Sequence, residues 1–477
     1  MNNTTIEEPP AGSIERDRWF LSSAPIVRSL VHLCIPMAAA MIVGAIYNLI
    51  NAGVIGSLHV TAFLAAVTLG SPILGLIMAI GNVFGVGGGA MISRLLGATE
   101  HGPARAQDIK RVSAFSFWGA LLTGAVVGGA GLLFLDPIVS LLGATDDVVS
   151  ATRTFVGILL AFVPVLAAAV CLEQLVRAEG AARQVMIGLI ISTVMNLLFD
   201  LWFILGLGWG VAGAALATGT ANLVLVLYFA LWLSKNSEYA SLAPRWLTLS
   251  ASVTKPVLGV GVGTLLQSAF LILTALVLNN LAATYGDGPL AAMGVAVRIA
   301  QIPEFLLMGI TMGVLPLLAY SYGKGDAGRL AEAVRKSALA VGVIAGVSSV
   351  AVFIFRDQVF ASFISDPSVL SMGVVVLTAQ LVAMIANALT GLITSLFQAT
   401  GRALAATTMS MMQGILFIPV VFAGNLWFGL NGIIWALTAT EISVLATGLV
   451  LALASRQAIR KGLSEGTEER AEATLAA

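Results

Sequence analysis

Between Gln184 and Ser234 the chain carries one charged side chain, Asp200, with apolar sequence on both sides long enough to cross a bilayer. An ionised aspartate at the centre of a lipid-exposed helix costs about 2.5–3.5 kcal/mol on insertion scales, so it should face protein or a water-filled cavity. There it can give up its charge by taking a proton, or keep it by holding a cation. A buried group with two such states is what an ion-driven transporter requires. Two more acids, Glu304 and Glu441, lie deep in apolar sequence. At about 1.5 Å of rise per residue, Glu304 falls near the middle of its span, where it reads as a counter-charge for a cationic substrate or as a second protonation site. Pro303 beside it removes a backbone donor and could open the helix locally. Glu173 and Arg177 are spaced i, i+4 and form an expected gating or structural ion pair.

The uncharged polar residues are the next tier. Asn48 and Asn51 share one helix face, and Asn196 is spaced i, i+4 from Asp200, so that its amide can hydrogen-bond the carboxylate. Gln267, Asn387 and Gln413 are candidates for lining a cleft, with Met308 among the adaptable Met and Phe surfaces a promiscuous pocket uses. Pro36 is a candidate bend in the first span. The three histidines, His32, His59 and His101, stand at no metal-ligand spacing, so no metal site is expected. The Gly81–Gly89 run lacks a following Gly-Lys-Ser/Thr and reads as a close-packing stretch of helix, not a phosphate loop.

The elements that must position these groups follow from composition. Charged residues are 10% of the 477 and hydrophobic ones 58%, against about 25% charged in a soluble domain. Ser29 to Ser93 contains no Asp, Glu, Lys or Arg. This is an integral membrane protein, and its apolar runs give twelve spans, at roughly 27–50, 61–92, 111–134, 153–176, 184–206, 210–233, 256–283, 289–319, 337–355, 369–397, 403–424 and 431–455. Of 24 Lys and Arg, all but Arg153, Arg298 and Arg356 fall in the termini and the even-numbered loops, which places both ends in the cytoplasm. The polar N-terminus is not followed by a signal-peptide pattern, and the C-terminus from Ser464 reads as a frayed tail.

The halves repeat. Leu64-Ala-Ala returns as Leu290-Ala-Ala and Gly97 as Gly323, each 226 positions on; Asp136 returns as Asp357 and Gly180 as Gly401, each 221 on. A six-helix unit is duplicated, and an even number of spans keeps both copies in one orientation. The expected fold is all-α: twelve transmembrane helices in two pseudo-symmetric six-helix bundles around a central cleft. Its parts are an N-terminal tail (1–24), an N-lobe (25–233), a linker (234–255), a C-lobe (256–455) and a C-terminal tail (456–477).

An ordered set of short motifs then points further: Ile35-Pro36-Met37 with Tyr47-Asn48, Gly87-Gly88-Gly89 with Ile92-Ser93-Arg94, Arg177-Ala-Glu-Gly180, Asn196 to Asp200, Gly206-Leu-Gly-Trp-Gly-Val-Ala-Gly213, and Pro316-Leu-Leu-Ala-Tyr-Ser-Tyr322-Gly323. Together they resemble the multidrug and toxic compound extrusion family over nearly the whole chain. The resemblance implies alternating access and export of organic, often cationic compounds against inward proton or sodium flow. By matching position it makes Asn196 and Asp200 the fifth-span members of the cation site of the DinF-type branch. The matching first-span position, usually an aspartate, has Asn51 as its nearest polar residue, leaving Asp200 as the N-lobe carrier. The acids of the NorM-type branch, in the seventh and tenth spans, have no counterpart here. Family look-alikes often carry an acid near Glu441, which favours a structural role for it.

The expected function is thus a secondary antiporter, not an enzyme. It exports small organic molecules in exchange for protons, or less favourably sodium, from a bacterial cytoplasmic membrane. No cofactor is expected beyond the coupling ion, no nucleic-acid partner is suggested, lipid surrounds the protein, and the working unit is taken as a monomer. The alternative, a flippase for a lipid or lipid-linked precursor, usually needs a strongly cationic cavity, and Arg298 is the one basic residue deep inside a span.

Overall fold

Backbone in lipid has no water to bond with, so each span must close its hydrogen bonds within itself. The computed structural model describes residues 13–56, 61–100, 105–145, 147–361 and 367–475, and among these the regular structure is helical throughout. In chain order the helices are α1 (Ser13–Ser22), α2 (Ile26–Gly56), α3 (Thr61–Thr99), α4 (Ala106–Leu133), α5 (Leu135–Leu141), α6 (Asp147–Ala178), α7 (Ala182–Asp200), α8 (Gly210–Asn236), α9 (Ala251–Ala283), α10 (Asp287–Gly323), α11 (Ala327–Ile354), α12 (Arg356–Ala361), α13 (Pro367–Ala399), α14 (Ala403–Phe428) and α15 (Leu430–Leu475). Twelve are long and apolar enough to cross a membrane, α7 together with a π-helical turn that follows it.

The duplication expected from the sequence is visible in how the helices pair. In the first lobe α3 packs on α6, α2 on α7 and α7 on α8; in the second, α10 packs on α13, α9 on α14 and α14 on α15. Across the lobes α2 meets α10, and α3 meets α9 in the mirrored contact, while α3 and α10 cross each other.

The crossing of α3 and α10 is closest at the end that carries the basic loops. An added Cβ on Gly97 would lie 2.2 Å from the Tyr320 carbonyl oxygen, and one on Gly323 would lie 1.9 Å from that of Arg94. Arg94 and Tyr320 are themselves 226 positions apart, so the seam is a pseudo-symmetric pair of glycine-on-backbone contacts. Lys324 Nζ pairs with Glu100 Oε2 at 2.7 Å, and the Tyr320 hydroxyl donates to the same carboxylate. The two lobes are therefore shut against each other on the basic-loop side.

Two segments differ from their expected character as tails. Within residues 1–24, α1 docks with Trp19 and Leu21 buried. Its C-terminal carbonyls are gripped from the second lobe: the Arg329 guanidinium donates to the oxygens of Leu21 (2.9 Å), Ala24 (2.8 Å) and Phe20 (3.0 Å). A cation at a helix C-terminus satisfies orphan carbonyls and the helix dipole together. At the other end, the stretch read as frayed continues α15 as helix to Leu475, in keeping with its Ala- and Glu-rich composition.

The linker is packed down as well. Trp118 Nε1 donates to Leu242 O at 2.9 Å, and the Ser241 amide donates to Ser113 Oγ at 3.0 Å. Ser237 Oγ donates to Glu179, which lies just beyond the end of α6. Burial pushes the Glu179 carboxyl up to about 7; the Ser237 donor and the Arg18 charge oppose this, and Asp17 adds to it. The folded carboxyl thus holds its proton more tightly than an unfolded one near 4.5, so its stabilising contribution is complete below pH 4.5 and lost as pH rises to about 7. Glu179→Gln is expected to flatten this dependence and raise the unfolding midpoint above neutral pH, by about 3 kcal/mol at most. Thermal unfolding of both proteins across that pH window is the check; parallel pH profiles would reject the assignment.

Candidate functional site

Asp200 closes α7 and is 1% exposed. Its Oδ2 accepts a hydrogen bond from the Tyr47 hydroxyl of α2 at 3.3 Å. Among the described residues it has no ion pair. Asn196, one turn earlier on the same face, is 7% exposed, and its Oδ1 is buried without a hydrogen-bond partner. Among the described residues, Tyr47 is the one hydrogen-bond donor seen on the Asp200 carboxylate, and none is seen on Asn196 Oδ1. An ionised carboxylate away from water requires several donors or a counter-charge.

The backbone is unusual at the same place. Directly after Asp200 the helix widens into one π-helical stretch, Leu201–Gly206, with the amide of Leu207 bonded to the Trp202 carbonyl. π-Bulges are rare and cluster at functional sites, since the extra residue re-aims neighbouring side chains. Phe199, Trp202 and Trp209 each stack on Phe203 around this turn, at centroid distances of 5.2–5.6 Å. Trp202 and Trp209 are also exposed, as aromatic residues at a membrane interface commonly are.

Three second-lobe residues, Glu441, Gln413 and Glu304, form a separate cluster. Glu441, in α15, is 2% exposed and accepts a hydrogen bond from Gln413 Nε2 of α14. Glu304, on α10, is exposed and close enough to Glu441 to act on it electrostatically. Gln413, expected to line the cleft, is thus engaged by the acid expected to be structural. Gln267 and Met308 are exposed and Asn387 is half-buried, on α9, α10 and α13 respectively. Pro303 interrupts nothing visible, as α10 runs unbroken through it, and α2 likewise continues through Pro36. The Glu173–Arg177 pair forms at 3.4 Å near the end of α6, with side chains 13% and 3% exposed. The side chains of Asn48 and Asn51 lie outside the described residues.

Two features escaped the sequence. Tyr47 was visible only as half of a motif, although a search for donors on the face of Asn48 and Asn51 could have singled it out. The π-turn has no sequence period of its own; the nearby Gly206, Gly208 and Gly210 were its only signal. No group of three or more His, Cys, Asp or Glu that could hold a metal ion occurs among the described residues.

The fold and sequence match known proteins throughout. The family model of MatE matches residues 36–202 and again 261–423, once in each half. The multidrug export protein MepA of Staphylococcus aureus (strain MRSA252) is 32% identical over 436 residues, covering 91% of this chain and 95% of that protein. MepA of Staphylococcus saprophyticus subsp. saprophyticus is likewise 32% identical over 436 residues, with the same coverage. A solved structure described as the outward-facing conformation of a multidrug resistance MATE family transporter superposes with a TM-score of 0.85 at 23% identity, over 95% of this chain and all of that one. The paired spans, the two mirrored lobes and these likenesses identify the chain as a member of the MatE family of membrane transporters and not an enzyme.

Proposed function

We propose that the chain is a proton-coupled antiporter that exports organic, cationic or amphipathic compounds across a bacterial cytoplasmic membrane, with Asp200 as the proton carrier of the first lobe. The observation that carries this reading is the pocket of Asp200, Asn196 and Tyr47: a buried carboxylate with one donor, an orphan amide oxygen beside it and no basic partner among the described residues. A proton on Asp200 would supply the donor that Asn196 Oδ1 lacks. The substrate class is carried over from the Staphylococcus relatives named for multidrug export, and the DinF-type assignment from the fifth-span motif.

In the cycle, the excess of basic residues puts both termini and the closed seam on the cytoplasmic side, so the state described is shut to the cytoplasm. Protonation of Asp200 from outside removes its demand for hydration, lets α2 and α7 repack around Tyr47 and lowers affinity for a cationic substrate. The lobes then rock apart at the seam, and the proton leaves inward as fresh substrate enters. Proteoliposomes with imposed pH and sodium gradients applied separately, against a panel of cationic and neutral compounds, test this. Cationic compounds should move with the pH gradient alone; movement driven by sodium alone, or by neither gradient, would overturn the proton assignment.

A further inference from the structure

The Glu441 cluster has the same deficit as the first-lobe pocket, in a different place. Gln413 serves Glu441 Oε1, whereas Oε2 is buried and has no hydrogen-bond partner among the described residues. A carboxylate taken out of water stays ionised only with several donors or a counter-charge. The helices packed against α15 offer none nearby. α13 and α14 contain no Asp, Glu, Lys or Arg; α9 contributes only Lys255, exposed near its start. α10 contributes Asp287, Arg298 and Glu304, of which Arg298 is exposed and Glu304 is the group that acts on Glu441. On α15 itself the next charge, Arg456, is about four turns away.

The geometry points to a second proton-binding site, in the C-terminal lobe, where Glu441 takes a proton on Oε2 while Gln413 holds Oε1 and Glu304 supplies the facing negative charge. Like charges that share a site favour uptake of one proton between them. The proton is taken from a water-borne donor: one O–H bond breaks on that donor as another forms on Glu441 Oε2, and release reverses the step. A metal cation fits poorly, because hard cations such as calcium and magnesium gather about six oxygens and the cluster offers two carboxylates and an amide. The site is not the repeat image of Asp200, since the 221-residue offset carries Glu441 back to Thr220. It therefore stands or falls independently of the first-lobe carrier.

Infrared difference spectroscopy on the full chain in lipid nanodiscs, titrated across the neutral range, reads protonated carboxyls directly. Three titrating carbonyl bands are expected, one lost in Glu441→Gln, one in Asp200→Asn and one in Glu179→Gln. Glu304→Gln should leave the Glu441 band present but weaken its hold on the proton by about threefold or more, as the facing charge is removed. A Glu441→Gln spectrum identical to the parent's would overturn the proposal, as would loss of the band on adding sodium at fixed pH. Should Glu441→Gln fail to fold, an unshifted band in Glu304→Gln would reject the site by itself.

Discussion

Asp200→Asn is expected to cut pH-gradient-driven accumulation of substrate by about 100-fold while expression and thermal stability stay at parental levels. Coupling free energies between sites run at about 1–3 kcal/mol, or about 5–150-fold, and the upper end applies where one group is the whole coupling element of its lobe. No other acid lies in the first-lobe pocket, so nothing substitutes for it. The exchange is nearly isosteric. The new carbonyl can still accept from Tyr47, and the new amide can donate to the orphan Asn196 Oδ1, so the fold loses no bond. What is lost is the ability to change charge. Uptake into proteoliposomes under an imposed pH gradient, beside unfolding midpoints of both proteins, separates the two effects; parental uptake by the variant would move the carrier elsewhere.

Gly323→Leu is expected to have the second largest effect, through the seam. An added Cβ at this position meets the Arg94 carbonyl oxygen at 1.9 Å, and neither backbone can yield without parting the lobes. Overpacking typically costs about 1–3 kcal/mol, and here the cost falls only on the state closed at the basic-loop side. Each 1.4 kcal/mol being about tenfold, the population should shift about 10- to 100-fold towards the opposite state, and turnover should fall comparably. Spin labels at the exposed Gln107 and Arg335 report the separation of the two lobes on this side. A longer mean distance with an intact fold is expected. An unchanged distance distribution with normal transport would mean that the seam does not gate the cycle.

The glycine result shows how a linear signal acquires meaning. Gly97 and Gly323 stood out in the sequence as repeat partners, and a constant offset says that two copies exist without saying what they touch. Packing supplied the rest: each glycine lies on the residue that is the repeat partner of the other's contact. Glu441 shows the opposite case. Its depth was legible from hydropathy, yet its pairing with Gln413 and its nearness to Glu304 join three helices that are distant in sequence.

By itself the sequence determined the helical class, the twelve spans, the duplication and the isolation of Asp200. These follow from run length, charge distribution and self-similarity, and lipid converts them into structure by forbidding unpaired backbone. Tertiary structure alone decided that Tyr47 serves Asp200, that the helix widens just beyond it, that α1 is clamped by Arg329, and that a second acid cluster exists. Each of these depends on the rotation and tilt of one helix against another, which are set by side-chain packing and not by the length or hydropathy of a span.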